Sequence, residues 1–340
     1  MDFGPKVPPN PATGFNAANG RRVVSPGRGE APLSVWDPGI NNAPPTRHRQ
    51  PAIRRSKNVS YGSWCQANLY GNILNRRASP RIAAAWQQNE SGLHYVLNLQ
   101  GKTAVVTGAS SGFGAATARA LATRGARVAL MARTESALDQ LAGEIECASG
   151  CVRAIPVDVA NTDALGAAYE EAADRLGPIE ILVNNAGTNV APRRYADTSL
   201  DQWRTVLAVN LDAAFLLTKL VMPGMRELGR GSIVNVASRA ANYPSLLAGV
   251  SYSSSKLGMA ALNRIANEEG NPFGIRAILV NPGVGATPIL DRRPEPPPQE
   301  MRNRMLQAED VADTIVFAVS LPYRACLENI DVYPTDPDVR

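Results

Sequence analysis

The chain has 340 residues, room for two or three domains, and its 44% apolar against 19% charged content supplies a sizeable core. No unbroken apolar run approaches the ~18 residues of a membrane-crossing helix, and Met1-Asp2-Phe3-Gly4-Pro5 lacks the basic start and apolar stretch of a secretory signal. Four cysteines (Cys65, Cys147, Cys151, Cys326) are too few for a disulfide scaffold and fit a reducing, cytoplasmic setting, and the only histidines, His48 and His94, precede residue 98, so the rest of the chain excludes a Ser-His-Asp triad or a histidine metal site.

Charge divides the chain near residue 97. Residues 1–97 carry 12 Lys/Arg against 4 Asp/Glu and 11 of the 26 prolines, whereas the remainder is net −3. Such an arm has no sustained apolar period and cannot offset its conformational entropy, so it is expected to be mostly disordered. Three readings of it compete. It is an organelle-import peptide, Arg-rich and acid-poor but broken by proline. It is a nucleic-acid-binding tail built on Arg47, Arg49, Arg54, Arg55 and Lys57 beside Tyr61 and Trp64. Or it is an over-extended reading frame, with translation starting near Leu93 or Val96, since no Met lies between Met1 and Met131. The last is preferred and nucleic-acid binding is least favoured.

From residue 98 the chain alternates. β-Branched runs predict strands at Thr103–Thr107, Arg127–Ala132, Val152–Val157, Ile181–Asn184, Ser232–Ser238, Ile275–Asn281 and Asn329–Tyr333. Between them, 3.6-residue apolar periods predict helices at Gly112–Thr123, Glu135–Cys147, Thr162–Leu176, Ser199–Glu227, Tyr252–Glu268 and Ala308–Ser320. This alternation implies right-handed βαβ crossovers: an α/β, Rossmann-like, doubly wound parallel sheet of seven strands over 98–335, with helices on both faces.

The first strand runs into Thr107-Gly108-Ala109-Ser110-Ser111-Gly112-Phe113-Gly114 and directly into a helix. Glycines there permit a tight turn and close approach to a pyrophosphate, which sits on the unpaired N–H groups at the helix start. The G-x-x-x-G-x-G spacing, Asn184-Asn185-Ala186-Gly187 after the fourth strand, Ser238 after the fifth, Tyr252-x-x-x-Lys256, and Pro282-Gly283-x-x-x-Thr287 after the sixth occur in order. On these motifs residues 98–335 resemble the short-chain dehydrogenase/reductase family, in its short single-domain branch.

The end of the second strand bears on the choice of nicotinamide cofactor. An acidic residue there would bind the ribose 2′-OH of NAD, but the position reads Ala132, followed by Arg133, which suits a 2′-phosphate. NADP(H) is therefore favoured over NAD(H); the alternative is a merely solvated Arg133. The resemblance implies that Asp158 meets the adenine, unless it only caps the next helix. It also implies that Asn185, Ala186 and Gly187 line the cleft and that Thr287 reaches the nicotinamide carboxamide.

Tyr252 and Lys256 stand at i and i+4 on one helix face. A phenol titrates near ~10, and the ammonium, with the oxidised cofactor, is expected to lower that value so that Tyr252 serves as acid and base. Lys256 would also hold the nicotinamide ribose. Ser238 would hydrogen-bond the substrate oxygen. By the resemblance Asn210 is the fourth catalytic member, holding a water that links Lys256 to solvent, unless it is a helix-kinking or interface residue.

Cys147 and Cys151 have the wrong spacing for a redox or zinc pair, Glu170-Glu171 and Glu268-Glu269 read as solvated faces, and no metal site is expected. Arg292–Pro298 falls where relatives carry a substrate lid. Arg193 and Arg194 read as solvated, with contact to an anionic substrate as the lesser alternative. The expected function is an NADP(H)-preferring oxidoreductase acting on a small-molecule ketone or secondary alcohol. It would be a homodimer or homotetramer built, as in relatives, through the 199–227 and 252–268 helices, without membrane or nucleic-acid partners. The alternative is a non-catalytic dinucleotide sensor, against which Ser238, Tyr252, Lys256 and Asn210 all argue.

Overall fold

In the computed structural model, which describes residues 98–147 and 151–339, strand and helix alternate from β1 (Thr103–Thr107) onward. The three readings of residues 1–97 lie outside the described residues. The strands β2 (Arg127–Ala132), β3 (Cys151–Pro156), β4 (Ile181–Asn184), β5 (Gly231–Val236), β6 (Ile275–Pro282) and β7 (Asn329–Val332) complete one parallel sheet in the order β3-β2-β1-β4-β5-β6-β7. The register pairs Thr103 with Arg127 and Ala104 with Ile181, so β1 lies between β2 and β4. The strand order reverses there, and the connections leaving β1 and β4 part to opposite faces, which opens a crevice at the carboxyl edge.

Alternation along the strands divides the core in two. Ala104, Val106, Val128 and Leu130 face α1 (Gly112–Thr123), α2 (Glu135–Cys147) and α9 (Ala308–Ser320), packing with Leu121, Leu138, Val311 and Ile315. Val105, Ala129, Leu182 and Ile233 face α3 (Thr162–Leu176) and α5 (Ala213–Leu228), against Leu165, Leu217, Val221 and Met225. Both strand faces are therefore buried, the condition for a parallel sheet, and each fully enclosed leucine contributes roughly 2 kcal/mol. Packing continues past residue 335, since Val339 is buried with Leu290 and Met305.

The expected single helix over 199–227 is three pieces: α4 (Leu200–Leu207), a π turn at Ala208–Asp212, and α5. Ser199 starts it with a capping box, accepting from Gln202 N at 3.2 Å while Gln202 Oε1 accepts from Ser199 N at 2.9 Å. Although the sequence has no long unbroken apolar run, Leu200–Leu228 is a 29-residue helix of hydropathy 1.6, long and apolar enough to cross a membrane. Its Leu217, Val221 and Met225 instead pack on the sheet as core. β5 stops at Val236, two residues earlier than expected, because Ser238 leaves the ladder to cap α6 (Arg239–Asn242), accepting from Ala240 N at 3.2 Å. The long helix α7 (Val250–Gly270) then runs back along β6.

Candidate active site

The crevice is a cleft of about 530 Å³, within the size range of small-molecule sites. Gly108, Ser110, Ser111, Gly112 and Phe113 line one side of it. Gly108 and Gly112 have φ of +64° and +54°, and Ser111, the N-cap of α1, makes no side-chain cap bond, nor does an acid occupy the first turn. The open N–H groups and positive dipole end of α1 are thus left for an anionic group. Gly114 does not line the cleft. It lies beneath the loop, where a Cβ would press into Gly108 O and the Asn185 amide.

Asn185 and Ala186 line the cleft and also brace that loop. Asn185 N and Ala186 N both donate to Thr107 Oγ1 at 3.0 Å, and Asn185 Nδ2 donates to Thr107 O at 2.9 Å. Gly187 lies beside them. Ala132 and the exposed Arg133 continue the wall past β2, followed by Asp158. Asp158 Oδ1 accepts from Ala160 N at 3.1 Å, but the cap of α3 is Asn161, which accepts from Ala164 N. Pro282, Gly283 and Thr287 close the opposite side, with the buried Thr287 beside Gly112. A helix terminus with open N–H groups, a glycine-floored turn and a cation next to a small residue at the β2 end are together a fit for a nicotinamide dinucleotide.

Ser238, Tyr252 and Lys256 share the same cleft. The Ser238 hydroxyl stands near the Tyr252 phenol and favours its ionised form. Lys256 is 2% exposed; its Nζ donates to Val236 O at 2.8 Å and stands 5.8 Å from the Tyr252 ring centroid. Burial lowers the ammonium pKa to about 8. The phenol departs from the expectation of a lowered value. Burial dominates and raises it, while Ser238 and the charges of Arg293 and Arg193 pull the other way. Lys256 turns its Nζ toward Val236 O.

Asn210 occupies the π turn, fully buried behind the cleft lining. Its Oδ1 accepts from Thr188 N at 2.7 Å, and its Nδ2 donates to Thr188 O and Ser255 Oγ, both at 3.0 Å. The Ser255 hydroxyl donates in turn to Tyr252 O at 2.8 Å. A Cβ placed on Gly187 would stand 3.7 Å from Lys256 Nζ and 3.8 Å from Asn210 Oδ1, so both atoms border one spot beside Gly187. The extra residue of a π turn is what swings a polar side chain from a helix inward, and such turns concentrate at functional sites.

The family profile of the short chain dehydrogenases matches residues 102–297. D-threitol dehydrogenase of Mycolicibacterium smegmatis is 34% identical over 241 residues, spanning 69% of this chain and 92% of that protein. The chain belongs to the short-chain dehydrogenase/reductase family. Among solved structures, a metagenomic short-chain oxidoreductase in complex with NADP superposes with a TM-score of 0.61 at 32% identity, covering 70% of this chain and 99% of that one. A 3-ketoacyl-(acyl-carrier-protein) reductase from Brucella melitensis complexed with NADH gives 0.63 at 29% identity, covering 70% and 99%. The protein is accordingly an NAD(P)-dependent oxidoreductase with a nucleotide cofactor, and this kinship does not favour a non-catalytic sensor.

For this dehydrogenase/reductase, sequence reasoning missed Thr188 and Ser255, because nothing in a lone Thr or Ser shows that an asparagine many residues away will bond it. It also left Arg193, Arg292 and Arg293 as solvent or lid residues, yet all three line the cleft, and Arg194 does not. The segment after Thr287 is a short 3-10 turn at Pro288–Arg292, followed by α8 (Gln299–Arg302). Elsewhere the surface reading stands: Glu171 pairs with Arg175 at 2.9 Å and Glu269 with Arg226 at 3.7 Å, while Cys151 is an exposed free thiol. Among the described residues no group of three His, Cys, Asp or Glu gathers to hold a metal.

Proposed function

We propose that the protein is an NADP(H)-preferring oxidoreductase interconverting a ketone and a secondary alcohol, with Tyr252 as the proton donor and acceptor. The observation that carries this is the presence of Ser238, Tyr252 and Lys256 in the cleft that the glycine loop floors. A bound nicotinamide supplies or takes the hydride. Ser238 hydrogen-bonds the substrate oxygen, and during reduction the Tyr252 hydroxyl gives that oxygen its proton. Lys256, held against Val236 O, binds the ribose and keeps a proton near the phenol. Asn210 is a positioning residue: by tying Thr188 N and O it fixes the loop after β4, and the spot beside Gly187 holds the water that relays protons to Lys256.

Ala132 and Arg133 at the end of β2 support the NADP preference, since a guanidinium beside a small uncharged residue favours a 2′-phosphate. Residues 98–335 form the catalytic domain in this reading, and the enzyme is a homo-oligomer. The exposed Phe215 of α5 and Leu257 and Ile265 of α7 are the apolar surface that supports self-association; light scattering of the purified chain checks it, and a monomer refutes it. The decisive test is titration of the full chain with NADPH and with NADH, followed by nicotinamide emission, beside the Tyr252→Phe variant. Tighter NADPH binding, retained by a variant about 10²–10⁴-fold slower, is expected. Binding of neither cofactor overturns the proposal.

A further inference from the structure

Beyond Tyr252 the cleft is strongly cationic. Arg193, Arg239, Arg292 and Arg293 line it together with Lys256, and among the described residues the only carboxylate in its lining is Asp158, which sits beyond β3 on the side of Arg133. Arg193 is held in place from behind. Its carbonyl accepts from Val250 N at 3.0 Å, and its Nη2 donates to Arg292 O at 3.2 Å. Arg292 Nη1 in turn donates to Thr188 Oγ1 at 2.6 Å, so the segments after β4 and after Thr287 are clasped across the cleft. The stem of Arg193 lies on Gly249, the N-cap of α7, at φ +86°, where a Cβ would come within 2.7 Å of Arg193 Cδ.

Two atoms of that guanidinium, Nε and Nη1, are buried without a hydrogen-bond partner. Arg193 and Arg293 are close enough to repel each other electrostatically, and burial holds both below their ordinary guanidinium range. Both charges reach Tyr252. Two like charges partly withdrawn from water, one of them with unfilled donors, are costly unless a counter-ion completes them. The planar donor fork of arginine matches a carboxylate or phosphate. Along α7, Gly249 lies one turn before Tyr252 and Lys256 one turn after it, which places Arg193 on the opposite side of the phenol from the lysine assigned to the ribose.

We propose that the substrate is an anionic carbonyl compound or alcohol whose carboxylate or phosphate is bound by Arg193 and Arg293 while its reacting oxygen meets Ser238 and Tyr252. This rests on the oxidoreductase reading above and adds the substrate's class. The unfilled Nε and Nη1 of Arg193 receive the anion's oxygens, and Arg292, already engaged with Thr188, holds the clasp.

The test uses the full chain saturated with NADPH. Pyruvate, acetoacetate and levulinate are compared with their methyl esters, and dihydroxyacetone phosphate with dihydroxyacetone, by quenching of nicotinamide emission and by NADPH consumption. At least one acid or phosphate is expected to bind about tenfold or more tightly than its neutral counterpart, as charge-assisted bonds require. Arg193→Met and Arg293→Gln should each remove that margin while leaving NADPH affinity unchanged, and retained NADPH binding certifies their fold. The two arms tell carboxylate from phosphate. Equal binding of charged and neutral probes, or of none, overturns the proposal and leaves the oxidoreductase standing. Weakened NADPH binding in the variants would assign the pair to the cofactor's phosphates. Because both charges also pull the Tyr252 phenol down, an alkaline shift of the rate profile accompanies either variant, and a shift with the charged-over-neutral margin intact would assign the pair to the phenol. Either result also overturns the proposal, whereas failure of the wild type to bind NADPH would instead sink the reading on which it rests.

Discussion

Replacing Lys256 by methionine should abolish turnover yet stabilise the cofactor-free protein. Lys256 is 2% exposed, its Nζ has one strong acceptor, Val236 O at 2.8 Å, and it forms no ion pair among the described residues. The fall of its pKa from 10.5 to about 8, caused by burial, corresponds to ~3 kcal/mol against the charged form. Methionine removes that penalty but leaves Val236 O without its donor, a loss of about 1 kcal/mol, so the variant gains ~2 kcal/mol at pH 7. The sign with pH follows from proton counts. Between pH 8 and 10.5 the unfolded chain holds the lysine proton more firmly than the folded one, so wild-type stability rises relative to the variant as pH increases. By pH 9.5 about 2 kcal/mol is recovered and the two proteins become equally stable. Urea denaturation of both at pH 7 and pH 9.5 measures the difference, in which every other titrating group cancels. A variant less stable at pH 7, or a gap independent of pH, would mean that the ammonium is satisfied where it stands, and the reasoning would fail.

Gly114→Ala should destabilise the fold by about 2 kcal/mol or more and weaken cofactor binding, because the added carbon meets Gly108 O and the Asn185 amide; thermal unfolding and NADPH titration read both effects. Asn210→Leu leaves Thr188 N and O without their partners and should cost about 3 kcal/mol in urea while lowering kcat more than it raises KM. Arg133→Ala should weaken NADPH about tenfold or more and leave NADH unchanged; an equal loss for both would make Arg133 a bystander. At the far end of the sheet, Arg276, 1% exposed, donates to Ser232 Oγ and to the carbonyls of Val319, Pro322 and Ala325. Arg276→Met should therefore cost about 3–5 kcal/mol with kcat of the folded protein intact, since nothing in that cluster borders the cleft.

Much of this fold was legible because its determinants are local. Strands such as Arg127–Ala132 and helices such as Thr162–Leu176 begin and end where the apolar period changes, and the parallel arrangement follows from their alternation. The departures are all places where a distant partner decides. β5 ends early because Ser238 caps α6 instead of extending the ladder. The helix over 199–227 breaks into a π turn where Asn210, singled out in the sequence for its chemistry, finds the backbone of Thr188. Arg276, a charge within β6, is held by Ser232 Oγ and by carbonyls at and just past the end of α9, partners that only the fold supplies.

The same division runs through the site. The glycine loop and the Tyr252–Lys256 pair carry spacings that chemistry itself imposes, so they can be read without coordinates. The electrostatics cannot, because a pKa is set by what surrounds a group in space. Sequence proximity pointed to Lys256 beside the phenol; in the fold its Nζ lies 5.8 Å from the ring and bonds Val236 O, and Arg193 and Arg293 are further cations that act on Tyr252. Those arginines are separated from Tyr252 by 59 and 41 positions, with no period linking them, and the fold brings both to the cleft, Arg193 through a clasp by way of Arg292 to Thr188. A spacing that serves the reaction is written into the chain. The arginines that border the cleft arrive on separate loops, and it takes the fold to show Arg193 half-buried there with Nε and Nη1 unpartnered.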